Sequence, residues 1–136
     1  AEALAPLADR AQSSGLTLVI EPGGSNLTKQ GAFLTDMMRQ LRHPHCRLMP
    51  DFGKLTGDVY EGTRAMMPFA AVVSAKTHEF DATGNQVEFD YFHLIRIVAA
   101  AGYRGILAIE WEGKQLNPIQ GVLASKGLIE RALAAL

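Results

Sequence analysis

Leu16-Thr17-Leu18-Val19-Ile20-Glu21 is a short apolar run that ends on an ionisable residue, and the chain repeats this arrangement. Cys46 to Asp51, Ala71 to Lys76 and Gly105 to Glu110 are further runs of the same kind. Each is apolar on both faces instead of alternating, which is the pattern of strands covered on both sides in a parallel sheet. Helical stripes separate them. Leu4, Leu7, Ala8 and Ala11 fall at helical spacing before the first run, with Gly15 as a stop. Phe33, Leu34, Met37, Met38 and Leu41 form a second stripe, and Tyr91, Leu94, Ile95 and Val98 another. Asp90 and Gly102 suit the two ends of the latter, and Asn117 with Pro118 opens a last helix through Ile119, Val122, Ile129 and Leu133. Between Asp51 and Ala71 the helical signal is weakest, because Gly62 interrupts it and Pro68 ends it.

The runs recur at roughly 25 to 35 residues, the length of a strand–helix unit with its loops. Alternation of this kind leaves two α/β architectures, an open doubly wound sheet or a closed barrel. The ends of the runs separate them. Glu21, Asp51, Lys76 with His78, and Glu110 all stand where an apolar run stops. In a barrel the C-terminal strand ends meet at one mouth, whereas in an open sheet they lie in a line and distant strands cannot share an ion. Two carboxylates, an imidazole and a third carboxylate suit a hard or borderline divalent cation such as Mg²⁺, Mn²⁺ or Co²⁺, with Zn²⁺ as a further candidate. Three converging anions without a cation repel one another, so convergence implies bound metal. The competing reading is that each polar residue simply starts a solvated loop. It suits any one strand well and four in series poorly.

Bulk properties narrow the function. The 136 residues are 48% hydrophobic and suit one compact domain spanning 1–136. A net charge of -1, without a basic stripe, gives no reason to expect a nucleic-acid partner. No apolar stretch approaches the roughly 20 residues of a membrane span. A lone cysteine, Cys46, excludes an internal disulfide and fits a reducing, cytoplasmic setting. The chain starts at Ala1 within a helical pattern instead of at Met, so upstream sequence is expected.

Taken together, Glu21 with Gly23-Gly24, Leu48-Met49-Pro50-Asp51-Phe52-Gly53, Val73 through Asp81, and Gly102 through Gly113 with Ile109-Glu110-Trp111-Glu112 resemble the xylose isomerase-like TIM-barrel superfamily. The similarity is to its sugar phosphate isomerase/epimerase branch. It covers the whole chain but only the last four strand–helix units of a (β/α)₈ barrel, strands 5–8 of the family, preceded by one helix. The resemblance implies a metal site of Glu21, Asp51, His78 and Glu110. Some relatives place the histidine earlier on the strand, where this chain has Ser74. Relatives also carry Asn-His before the paired glycines, where only Pro22 stands here, and Asn in place of Lys54. It implies a divalent-metal-dependent isomerase or epimerase acting on a carbohydrate through an enediolate. Glu21 and Glu110 are the expected base and acid, and Lys76 the expected donor to a substrate oxygen. Glu112 shares the face of Glu110 by strand alternation.

A dehydratase of sugar acids or inositol derivatives on the same fold, a multi-zinc phosphodiesterase resembling repair endonucleases, and a non-catalytic sugar-binding fragment are the alternatives. Only four histidines and the balanced charge weigh against the endonuclease. Asp51-Phe52-Gly53 matches a kinase metal-binding triplet, but no Gly-rich nucleotide loop or His-Arg-Asp segment accompanies it. His43, His45 and Cys46 precede a strand, which puts them on the barrel floor, where residues usually serve stability. Trp111 is expected to point away from Glu110, towards the helices. Four units do not close a standard barrel, so the preceding half or a pairing subunit is an expected partner.

Overall fold

The computed structural model describes residues 2–136. After a 3₁₀ turn at Glu2–Leu4 come α1 (Ala5–Ser13), β1 (Leu18–Ile20), α2 (Gly31–Leu41) and β2 (Cys46–Leu48). They are followed by α3 (Val59–Met66), a 3₁₀ turn at Met67–Phe69, β3 (Val73–Thr77), α4 (Tyr91–Ala100), β4 (Leu107–Trp111) and α5 (Pro118–Ala134).

Local chemistry sets the helix ends. Asp58 accepts hydrogen bonds from the Tyr60 and Glu61 N–H groups and opens α3, which forms despite Gly62 because the cap satisfies two otherwise free donors. Gly62 serves packing instead. A Cβ on Gly31 would lie 2.8 Å from the Gly62 Cα, so α2 and α3 approach backbone to backbone. Asp90 caps α4 through the His93 N–H. Asn117 and Gln120 form a reciprocal capping box on α5, with Pro118 in its first turn.

The strands are parallel. β1 pairs with β2 in register Leu18 to Cys46, and β3 with β4 from Val73 to Leu107 through Thr77 to Trp111. Bridges at Leu48–Ala70 and Asp51–Ser74 join the two pairs. The Ala71 N–H donates to the Leu48 carbonyl at 2.9 Å, and the Ser74 N–H to the Pro50 carbonyl at 2.9 Å. The spatial order is therefore the chain order. A doubly wound sheet reverses its strand order partway along, and no reversal occurs among the described residues. α2, α3, α4 and α5 pack each against the next, as a ring of helices requires. This is the arc of a barrel.

Strand alternation sends Val73 and Ala75 into a core with Leu94, Ile95, Val98, Leu128 and Ile129. Cys46 and Leu48 join Ala8, Leu34, Met38 and Met66 in a smaller one. Ser74, Lys76 and Glu110 point to the opposite, inner face. The ladders are offset from the apolar runs: Leu16 and Thr17 stay outside β1, and β4 continues one residue past Glu110 to Trp111. Pairing partners, not hydrophobicity, fix those limits. Among the described residues no helix is long and apolar enough to cross a membrane.

Candidate metal centre

Three strands that lie far apart in sequence bring Glu21, Asp51 and Glu110 together. One carboxylate oxygen from each lies within 4.8 Å of the others. Glu21 follows β1 directly, Asp51 follows β2 after Met49-Pro50, and Glu110 is on β4. Asp51 is the most constrained. Its backbone bridges to Ser74, its Oδ1 accepts the Gly53 N–H at 2.8 Å, and the side chain is completely buried. Its Oδ2 has no hydrogen-bond partner. Glu110 is held from one side, where the Ser74 hydroxyl donates to its Oε2 at 2.8 Å.

Two lysines enter the same space. Lys76, buried on β3, places Nζ 3.3 Å from Asp51 Oδ2, 3.1 Å from Glu110 Oε1 and 3.0 Å from Glu112 Oε1. None of these is directed as a hydrogen bond. Lys54, partly exposed on the loop after β2, donates to Glu21 Oε1 at 2.6 Å and lies 3.9 Å from Asp51 Oδ2. Gly53 makes room for this arrangement, since a Cβ there would lie 2.6 Å from Lys76 Cδ and 3.1 Å from His78 Cε1.

The electrostatics follow from these contacts. Burial raises the Asp51 pKa above the usual carboxylate value, and the Gly53 N–H and Lys76 only partly oppose it. Burial alone would weaken the Lys76 ammonium, but Glu112, Asp51 and Glu110 outweigh it and hold its pKa above the ordinary lysine value. Glu110 is also penalised by burial, yet the Ser74 hydroxyl and Lys76 hold it below a normal glutamate. Four carboxylates, those of Glu21, Asp51, Glu110 and Glu112, face two ammonium groups. With all four ionised the remainder is two negative charges, which one divalent cation balances. The donor set fits such an ion: hard oxygens from three strands, one of them buried and without a hydrogen bond.

His78 stands outside the carboxylate trio. Its Nδ1 lies 2.8 Å from Glu88 Oε2, and its Nε2 is 3.7 Å from Glu112 Oε2. It connects to the centre through Glu112 and Lys76. Glu88, which the sequence reading missed, reaches His78 because the loop folds back on itself through an antiparallel Phe80–Gln86 bridge. Trp111 points to the helix side, as expected, and its Nε1 donates to the His78 carbonyl at 2.7 Å. A Cβ on Gly121 would meet its indole ring, so α5 lies directly on it.

A parallel arc that gathers three carboxylates at its C-terminal edge defines the class as part of a strand–helix barrel with a candidate metal centre. The sequence matches the family described as Xylose isomerase-like TIM barrel over residues 1–135, and the chain belongs to that family. Similar solved structures include a xylose isomerase-like TIM barrel protein from Mycobacterium smegmatis in complex with magnesium. That one is 20% identical, with a TM-score of 0.71, over 99% of this chain and 50% of its own. An L-ribulose 3-epimerase is 21% identical with a TM-score of 0.78, over 98% of this chain and 52% of its own. A xylose isomerase domain protein from Planctomyces limnophilus is 16% identical with a TM-score of 0.70, over 96% and 50%. No curated protein matches the sequence. The chain thus spans about half the length of the structures it resembles.

Proposed function

We propose that this chain supplies the metal-binding half, strands 5–8, of a divalent-metal-dependent isomerase or epimerase acting on a sugar or sugar phosphate. The observation that carries the reading is the meeting of Glu21, Asp51 and Glu110 around the fully buried Asp51 Oδ2, which accepts no hydrogen bond. Those three side chains are the proposed ligands. His78 is the proposed fourth, its Nδ1 held by Glu88 and its Nε2 turned toward Glu112 beside the trio. When bound, the cation supplies stabilisation of the negative charge that develops on substrate oxygens as an enediolate forms.

The protein's own residues divide the remaining work. Glu110, held ionised by Ser74 and Lys76, is suited to accept a proton from the carbon next to the carbonyl. Glu21 lies across the centre and is suited to return one. Lys76 stays cationic among its carboxylates and acts as a donor to a substrate oxygen, not as a neutral base. Assay of the full-length protein with Mn²⁺ against a panel of ketoses, aldoses and their phosphates should give products of unchanged mass. A product lighter by one water would replace this reading with a dehydratase. Failure of Mn²⁺ to bind at all would remove the metal centre.

A further inference from the structure

The Lys54 ammonium stands where it competes with a divalent cation. It bonds Glu21 Oε1 at 2.6 Å and lies 3.9 Å from Asp51 Oδ2, so it is shared between two of the three gathered carboxylates. The side chain is about one-third exposed, at the rim, whereas Lys76 is buried beneath it. A cation taking up Glu21 and Asp51 oxygens at roughly 2.0–2.6 Å would lie within a few ångströms of this ammonium. Like charges that close repel strongly in the reduced dielectric of a protein rim. Lys54 then has to leave Glu21, and its partly exposed stem allows it to. Its 31% exposure keeps the displaced ammonium at the rim of the centre.

From this we infer, resting on the metal-centre reading above, that Lys54 is a specificity-determining residue that exchanges Glu21 for an anionic group of the substrate. The site would therefore take a negatively charged carbohydrate, a phosphate ester or a sugar acid, in preference to a neutral sugar. Both anion types offer oxygens to an ammonium and a divalent cation together. Lys76, 1% exposed, lies too deep to take an anionic group at the rim where Lys54 stands.

The test is Mn²⁺ titration of the full-length protein, wild type against Lys54→Asn and Lys54→Arg, followed by calorimetry. Without added anion, Lys54→Asn should bind Mn²⁺ at least about tenfold more tightly, since the competing charge is gone, while Lys54→Arg should stay close to wild type. Inorganic phosphate or glycolate should then tighten Mn²⁺ binding to the wild type, and ethylene glycol should not. By reciprocity the same coupling must appear in anion affinity, and Lys54→Asn should lose it. Phosphate acting without glycolate assigns a phosphate ester, and glycolate acting without phosphate assigns a carboxylate. Unchanged Mn²⁺ affinity in Lys54→Asn, with anion coupling retained, would overturn the inference and leave the metal centre intact. A wild-type protein that binds no Mn²⁺ overturns both.

Discussion

The two ends of the strands carry opposite kinds of ionisable cluster. At the N-terminal end His43, His45 and Cys46 are neighbours in sequence, yet each is occupied locally. His43 Nε2 lies 3.3 Å from Asp9 Oδ1, His45 Nδ1 is 2.7 Å from the Leu16 carbonyl, and the Cys46 sulfur is buried among Ala8, Leu34 and Met66. At the C-terminal end Glu21, Asp51 and Glu110 are widely separated in sequence and meet within 4.8 Å. Proximity along the chain therefore gave structural residues, and convergence through parallel strands gave the candidate centre. These carboxylates come together by topology, because every parallel strand ends at the same rim.

The largest expected effect separates the ends directly. Replacing Glu110 with Gln removes a proposed anionic ligand and the proposed proton acceptor at once. Turnover of the full-length protein should fall by about 10³-fold or more, and Mn²⁺ affinity by about 10- to 100-fold. The double change His43→Ala with His45→Ala should leave both within about twofold of wild type, because a floor residue acts through stability and not through the mouth. Steady-state kinetics and Mn²⁺ titration of the two proteins check this. Equal losses would abolish the distinction between the ends.

A second substitution tests what holds the mouth together. Lys76→Met removes the buried cation that Asp51, Glu110 and Glu112 share. In EDTA it should destabilise the protein by about 3–5 kcal/mol, because a buried carboxylate loses its partner. Saturating Mn²⁺ should recover part of that loss by binding the folded state alone. Urea unfolding with and without metal measures both. A loss that is identical in the two conditions would mean that lysine and metal do not serve the same carboxylates.

These contrasts also explain which parts of the molecule the sequence disclosed. Glu21, Asp51 and Glu110 were legible because each terminates an apolar run, and strand polarity then dictates where it goes. The barrel direction followed from the same fact. Lys54 was visible only as a departure from the family pattern, since nothing local says that it spans to Glu21. The mutual repulsion of the carboxylates was expected to need a metal alone, but Lys54 and Lys76 supply part of the countercharge. Ser74 and Glu88 were not read as partners of Glu110 and His78 because those contacts depend on register and on a folded-back loop. Such pairings have no periodicity, so a pattern search does not find them.

The smallest effect belongs to the floor and has its own pH signature. Cys46 is 3% exposed, and burial raises its thiol pKa above the usual value. The folded state therefore favours the neutral thiol, while the unfolded chain ionises in the ordinary thiol range. A raised acid pKa contributes stability that is intact below the unfolded value and declines as the pH rises past it. Between pH 7 and 10 the wild type should lose a little more stability than Cys46→Ala, whose own cost is a small packing defect. Alkylation of native Cys46 by iodoacetamide should be much slower than that of the urea-unfolded chain, because the reactive thiolate is both scarce and covered. Fast alkylation of the native protein would show that the floor opens readily, and the contrast between a rigid, locally satisfied base and a charged rim held by shared cations would have to be redrawn.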